Sequence, residues 1–233
     1  MLNYISYGKG KNIIFLHGWG GSTDSFKGLA DALSSEYRVT LVDFYGFGKT
    51  PHPDKALTLD DYVEGVADVM RKENMAEAVL VGHSFGGRVA VRFTRKYPGH
   101  CLKLVLIDAA GLRPRFSLKK TLRVIAHKFR KACGLEGLKG SEDYAALSGA
   151  MKGTFLNVIR DYTDKDLRYI SSGALVLWGK RDRDTPPYMA KRFRKRIKGS
   201  ISIIFPDAGH YSYLDAFYET LFAIKAYIGA DGR

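Results

Sequence analysis

A serine framed by glycines sits near the middle of the chain, in GHSFGG at residues 82–87. It fits G-x-S-x-G, a serine held on a sharp turn with its hydroxyl presented outward. The chemistry on offer is nucleophilic attack on an acyl carbon. A serine hydroxyl is a poor nucleophile at neutral pH, so it needs a base to take its proton and an acid to orient that base. The pentapeptide alone decides little. With 25 Gly in 233 residues, composition by itself produces such a match in roughly one chain of six.

The partners are expected later in the chain, in the order serine, acid, histidine. LVLWGKRDRDTP (175–186) places Asp182 just after an apolar run, and IIFPDAGHYSY (203–213) places His210 just after the next. Asp184, two residues on, and Asp108, ending LKLVLID (102–108), are alternative acids. An acyl-transfer transition state also needs donors for its oxyanion. LHGWG (16–20) offers the backbone N–H of Trp19, and the residue after the serine offers that of Phe85.

These residues need a scaffold that brings distant chain segments together. Short apolar runs at 12–18, 37–43, 77–84, 102–108, 174–179 and 200–205 read as strands buried on both faces. The first ten residues add an edge strand. Thr58 caps a helix whose Leu59, Val63, Val66 and Met70 share a face. Phe85–Tyr97 reads as a helix stopped by Pro98 and Gly99, and Tyr188–Ile197 and Tyr213–Ile228 as two more. Strand and helix in alternation predict an α/β fold, a mostly parallel sheet with helices on both faces. Serine, acid and base then stand at the C-terminal ends of different strands, where they can converge. From 111 to 172 the rhythm breaks. Short helices around 117–132, 141–151 and 152–161 predict a helical cap inserted in a core made of 1–110 and 173–233.

HGWG, VDFYGFGKT (42–50), GHSFGG, WGKRD and AGH together resemble the α/β-hydrolase fold superfamily, almost from end to end. The likeness is to its serine carboxylesterases, including those acting on pimeloyl-carrier-protein methyl esters. Thr50 stands where the family usually has Ser, and the chain is short for the family, as if lacking one N-terminal strand. The resemblance implies a triad of Ser84, Asp182 and His210, with oxyanion donors at Trp19 and Phe85 and no cofactor. The spacing of Asp182 from Trp178 and Pro186 matches the family's acid motif. A lyase of the same family holds an arginine four residues after its serine, which implies a substrate contact for Arg88. His83 and Tyr211 are further candidates for lining the cleft. His17 is expected to tether the oxyanion loop, and Asp43 to stabilise its turn. The expected activity is hydrolysis of carboxylic esters through an acyl-enzyme. A C–C bond hydrolase or lyase acting on an anionic substrate is the alternative.

Composition narrows the partners. No run approaches the ~18 apolar residues of a membrane span, and the N-terminus does not read as a signal peptide. Two cysteines, Cys101 and Cys133, suggest neither a disulfide framework nor a metal site, and a reducing cytoplasm is the expected compartment. The net charge is +13. Arg113–Lys131 carries eight Lys or Arg and no acid, and KRFRKR (191–196) is a second cluster. The first forms either a solvated helix face or a rim that draws in an anionic or carrier-protein-bound ester. A basic nucleic-acid-binding module without activity is the third reading, disfavoured because no recognition motif accompanies the charge.

Overall fold

The strands form where β-branched and aliphatic residues run together between turn residues. The computed structural model describes residues 1–115, 147 and 149–229. Seven strands are found there: β1 (Asn3–Tyr7), β2 (Lys11–Leu16), β3 (Tyr37–Asp43), β4 (Ala78–His83), β5 (Cys101–Ile107), β6 (Leu175–Gly179) and β7 (Ile201–Phe205). They make one sheet in the order β1-β3-β2-β4-β5-β6-β7. Only β1 runs antiparallel, pairing Asn3 with Asp43 through Tyr7 with Val39. The remaining pairs are parallel, so the C-terminal ends of β2 and β4–β7 open on one edge.

Alternate side chains feed two cores. Ile14, Leu16, Leu80, Leu104, Leu106, Val176 and Trp178 pack on one face against α2 (Leu59–Lys72), α3 (Phe85–Lys96) and α5 (Tyr188–Arg196). Ile13, Phe15, Val79, Val81, Val105, Ile107 and Leu177 pack on the other against α1 (Lys27–Leu33), α6 (Ser212–Asp215) and α7 (Phe217–Gly229). Full burial of each such aliphatic side chain contributes about 1.5–3 kcal/mol, so double-sided burial explains why these runs are continuous rather than alternating. Thr58 caps α2 as its sequence suggests: its hydroxyl accepts from Asp61 N–H, and the Asp61 carboxylate accepts from Thr58 N–H at 2.7 Å.

Two expectations need correction. β7 is not buried on both faces. It is the outer edge, and Ile201, Ile203 and Ile204 are exposed. The helix foreseen over Tyr213–Ile228 is broken at Ala216, whose ψ of 57° leaves the helical region. Of the interval 111–172, helix α4 (Gly149–Arg160) and a 3-10 turn at Leu167–Tyr169 are described. The helix expected at 117–132 and most of that at 141–151 lie outside the described residues, as does the basic run beyond Arg115. The two ends of the interval are joined: Thr163 N–H donates to Gly111 C=O at 2.8 Å, and Arg113 N–H to Asp164 Oδ2 at 2.7 Å. Among the described residues, no helix is long and apolar enough to cross a membrane.

Candidate active site

Ser84 ends β4 and caps α3 with φ 48° and ψ −111°, a conformation L-residues rarely adopt. Its backbone is held on both sides: Ser84 N–H donates to Ile107 C=O at 3.1 Å, and Ala110 N–H donates to Ser84 C=O at 2.9 Å. The flanking glycines let α3 sit close to the sheet. A Cβ on Gly82 would lie 2.5 Å from the Gly86 carbonyl oxygen, and one on Gly86 would overlap the Leu16 carbonyl. The elbow therefore depends on small residues at 82 and 86, as the sequence pattern requires.

His210 follows β7 and reaches across the sheet edge to the serine. Its Nε2 is 3.1 Å from Ser84 Oγ, and its Nδ1 is 3.0 Å from Asp182 Oδ2. Asp182 is buried at the end of β6. Its Oδ1 accepts from Asp184 N–H (2.9 Å) and Thr185 N–H (3.0 Å), and Oδ2 lies 2.6 Å from the Thr185 hydroxyl. Burial alone would raise the Asp182 carboxyl, but bonds from His210 and Thr185 more than offset it and hold the group below its ordinary value. For His210 burial works the other way. It disfavours the imidazolium, and the bond and charge of Asp182 overcome it, so the ring is more basic than usual. A carboxylate that stays ionised thus faces a histidine tuned to take a proton.

The other two candidate acids sit elsewhere. Asp184 is exposed, and its contact with Asp182 is through its backbone N–H. Asp108 is fully buried. Its carboxylate accepts from Gly179 N–H at 2.8 Å and Ser212 N–H at 3.0 Å, which ties β6 to the loop carrying His210. Burial pushes its carboxyl up to about 7. No hydrogen bond joins Asp108 to the imidazole among the described residues.

His17 holds the loop that follows β2. Its Nδ1–H donates to Gly18 C=O at 2.6 Å, while Nε2 accepts from Phe44 N–H at 3.1 Å. Burial lowers its pKa to about 4, so the ring stays neutral and keeps this tautomer. Gly18 lies beside Ser84: a Cβ there would be 3.4 Å from the serine Cβ. Trp19 comes next. Its ring meets Phe47, Phe85 and Phe155 edge-on, with centroids 4.9, 5.4 and 5.1 Å away. Asp43 serves its turn, accepting from Thr23 N–H at 2.6 Å and Lys49 N–H at 2.9 Å.

The three candidate substrate contacts fare differently. Tyr211 is 53% exposed beside His210, at the site's edge. His83 is buried beneath His210 and donates its Nε2–H to the His210 carbonyl at 2.8 Å. Burial and the neighbouring His210 push its pKa down to about 3. Arg88 stands one turn after Ser84 on α3. Its guanidinium is buried and donates to the carbonyls of Val158 and Asp161, the latter at 3.0 Å, at the end of α4. Val158 C=O also accepts from Asp161 N–H at 3.3 Å, and Asp161 lies just past α4, where the last carbonyls of a helix run short of donors and favour a cation.

Sequence reasoning missed Thr185 and Phe155. Thr185 had a readable signal, since D-R-D-T-P favours a turn closed on the side chain of its first Asp. Phe155 had none, because its approach to Trp19 depends on how α4 returns to the sheet.

A family model described as "Alpha/beta hydrolase family" matches residues 13–222. A 2-hydroxy-6-oxo-6-(2'-aminophenyl)hexa-2,4-dienoic acid hydrolase from Metapseudomonas resinovorans is 28% identical over 91% of this chain and 82% of its own. Among solved structures, a meta-cleavage product hydrolase from Pseudomonas fluorescens IP01 superposes with a TM-score of 0.79 at 20% identity, covering 99% of this chain and 95% of that one. A thermophilic esterase from Thermogutta terrifontis superposes with a TM-score of 0.78 at 23% identity, covering 98% and 93%. At such identities the superpositions show a shared fold. The match of the family model over most of the chain, on a sheet of this order, shows that the protein belongs to the alpha/beta hydrolase family.

Proposed function

We propose that the protein is a serine hydrolase of carboxylic esters. The observation that carries this reading is His210 bridging Ser84 Oγ and buried Asp182 at hydrogen-bond distance, with Ser84 on a left-handed elbow. His210 Nε2 takes the proton as Ser84 Oγ attacks the acyl carbon. Trp19 and Phe85 N–H groups hold the oxyanion; among the described residues, neither donates a hydrogen bond elsewhere. Asp182 orients the ring and stabilises its charge. The alcohol leaves with the proton from His210, and water activated by the same nitrogen releases the acid. Residues 111–172 act as the cap over this cleft, and the compartment we propose is the cytoplasm. The favoured substrates are small esters, including anionic or carrier-protein-bound ones.

Cleavage of a C–C bond in a vinylogous dienoic acid is the second reading. It is favoured by the Metapseudomonas relative, which matches over 91% of this chain. The triad serves both reactions, and the pocket decides between them. Turnover of p-nitrophenyl esters from C2 to C12, beside a vinylogous diketone acid, separates the two. Ser84→Ala should abolish whichever activity is present. Undiminished turnover by that variant would refute the mechanism. Failure of a phosphonate probe to label Ser84, together with salt-sensitive DNA binding, would point to a binding module instead.

A further inference from the structure

A concave site opens on the flank of α3, and Ser84 is not among its lining residues. Arg92 stands eight residues after Ser84, about 12 Å along the helix axis. The cleft has a volume of about 920 Å³ and draws its walls from α3, residues 113–115, residues 160–168 and α5. Eight cationic side chains line it against three carboxylates.

The carboxylates are already committed. Arg92 alone holds Asp161 at 2.8 Å and Asp166 at 2.8 Å, besides Asp60 outside the cleft at 3.1 Å. Asp164 is shared by Arg192 at 2.6 Å and Arg196 at 2.9 Å. Five cations remain: Arg113, Arg115, Arg160, Lys165 and Arg168. Among the described residues none of them forms an ion pair, and all are exposed. Three of these are laid against aromatic rings. Arg113 is 5.2 Å from the Tyr162 ring centre, Arg115 is 4.5 Å from that of Tyr188, and Arg168 is 4.8 Å from that of Tyr169. Stacking fixes the guanidinium plane and leaves its edge N–H donors free.

We propose that this cleft binds an oligophosphate, a ligand carrying two or more linked phosphate groups. Guanidinium forks match phosphate oxygens two by two, and an excess of five positive charges calls for a multiply charged anion. The cations converge from four chain segments into a hollow the size of a small-molecule site. An acidic protein would be met by a broad or ridged surface instead. The phosphates belong either to a free effector or to the tail of an ester whose acyl end reaches Ser84.

Calorimetric titration with sodium tripolyphosphate at fixed ionic strength tests the site. One equivalent should bind saturably. R113Q/R160Q/R168Q should weaken it at least tenfold, and R115Q/K165Q severalfold. R194Q/K195Q removes two cations of α5 outside the cleft and should leave binding unchanged. The targeted side chains are exposed and form no ion pair, so each variant should keep the wild-type melting temperature; if one does not, the other carries the comparison. Absence of saturable binding, equal loss in R194Q/K195Q, or equally tight binding of an acidic decapeptide would overturn the proposal. A kinetic arm identifies the source and rests on the hydrolase reading, whereas the titration does not. A KM rise in the triple variant for butyryl-coenzyme A alone, with p-nitrophenyl butyrate unchanged, assigns the phosphates to the substrate. Binding lost with both KM values unchanged assigns them to an effector.

Discussion

Replacing His83 by Phe should damage catalysis through His210 without touching the triad's own atoms. His83 is 2% exposed, and its Nε2–H is the donor for the His210 carbonyl at 2.8 Å. Phe keeps the ring that packs 4.9 Å from the imidazole of His210 and 5.1 Å from Tyr213, but has no donor. The His210 carbonyl is only part-buried, so losing its partner costs at most about 1–3 kcal/mol. If that cost falls wholly on the aligned conformation of His210, kcat drops about 5- to 150-fold, since each 1.36 kcal/mol is tenfold. KM should change less, because His83 is buried. Steady-state kinetics on p-nitrophenyl butyrate across pH 5–9 is the assay. The acid limb of kcat/KM should stay in place, because His83 at about 3 does not titrate in this range. H83Q, whose amide can donate to the same carbonyl, should recover most of the lost kcat. A kcat for H83F within twofold of wild type would refute the argument, and a shifted acid limb would mean that His83 itself carries the proton.

Asp182→Asn should lower kcat by about 10⁴-fold, the cost expected when the base loses its orienting anion. The same change should move the acid limb. His210 must be neutral to accept the serine proton, and Asp182 raises its pKa, so activity in wild type fails as pH falls through a value above that of free histidine; in D182N the limb moves to lower pH. Gly86→Ala should destabilise the fold by about 3 kcal/mol or more in denaturant melts, since the added Cβ meets the Leu16 carbonyl. For Asp108 the linkage runs against the usual carboxylate. Its pKa rises from 3.8 to about 7 on folding, so the native state holds the proton longer and stability falls as pH rises through that window. Asp108→Asn should flatten this decline in melting temperature between pH 4 and 7, whatever its constant cost.

The parallel sheet was legible because strands buried on both faces leave continuous aliphatic runs, and the sequence of 77–84 or 102–108 has no other economical reading. Ser84, Asp182 and His210 were legible as residues just past such runs. What was hidden depends on side chains from distant segments meeting. Arg88, four residues after Ser84, belongs to the same helix face by spacing, yet its guanidinium goes to the carbonyls of Val158 and Asp161 at the end of α4. Nothing in residues 84–88 encodes where α4 ends. His83 is a lining candidate by its place beside Ser84, but its hydrogen bond requires knowing that β7 brings His210 over β4. SISIIF looks like an interior strand by composition, but its position at the sheet edge leaves three isoleucines exposed. The break at Ala216 carries no Gly or Pro to announce it.

The left-handed backbone at residue 84 also restricts which side chain can occupy the elbow. At φ 48° a β-branched residue crowds its own main chain. Threonine has the same hydroxyl as serine, yet that geometry disfavours it here. Cysteine and alanine branch no earlier than serine and meet no such barrier. The fold thus admits a change of side-chain element at residue 84, oxygen to sulfur, more readily than the addition of one methyl group.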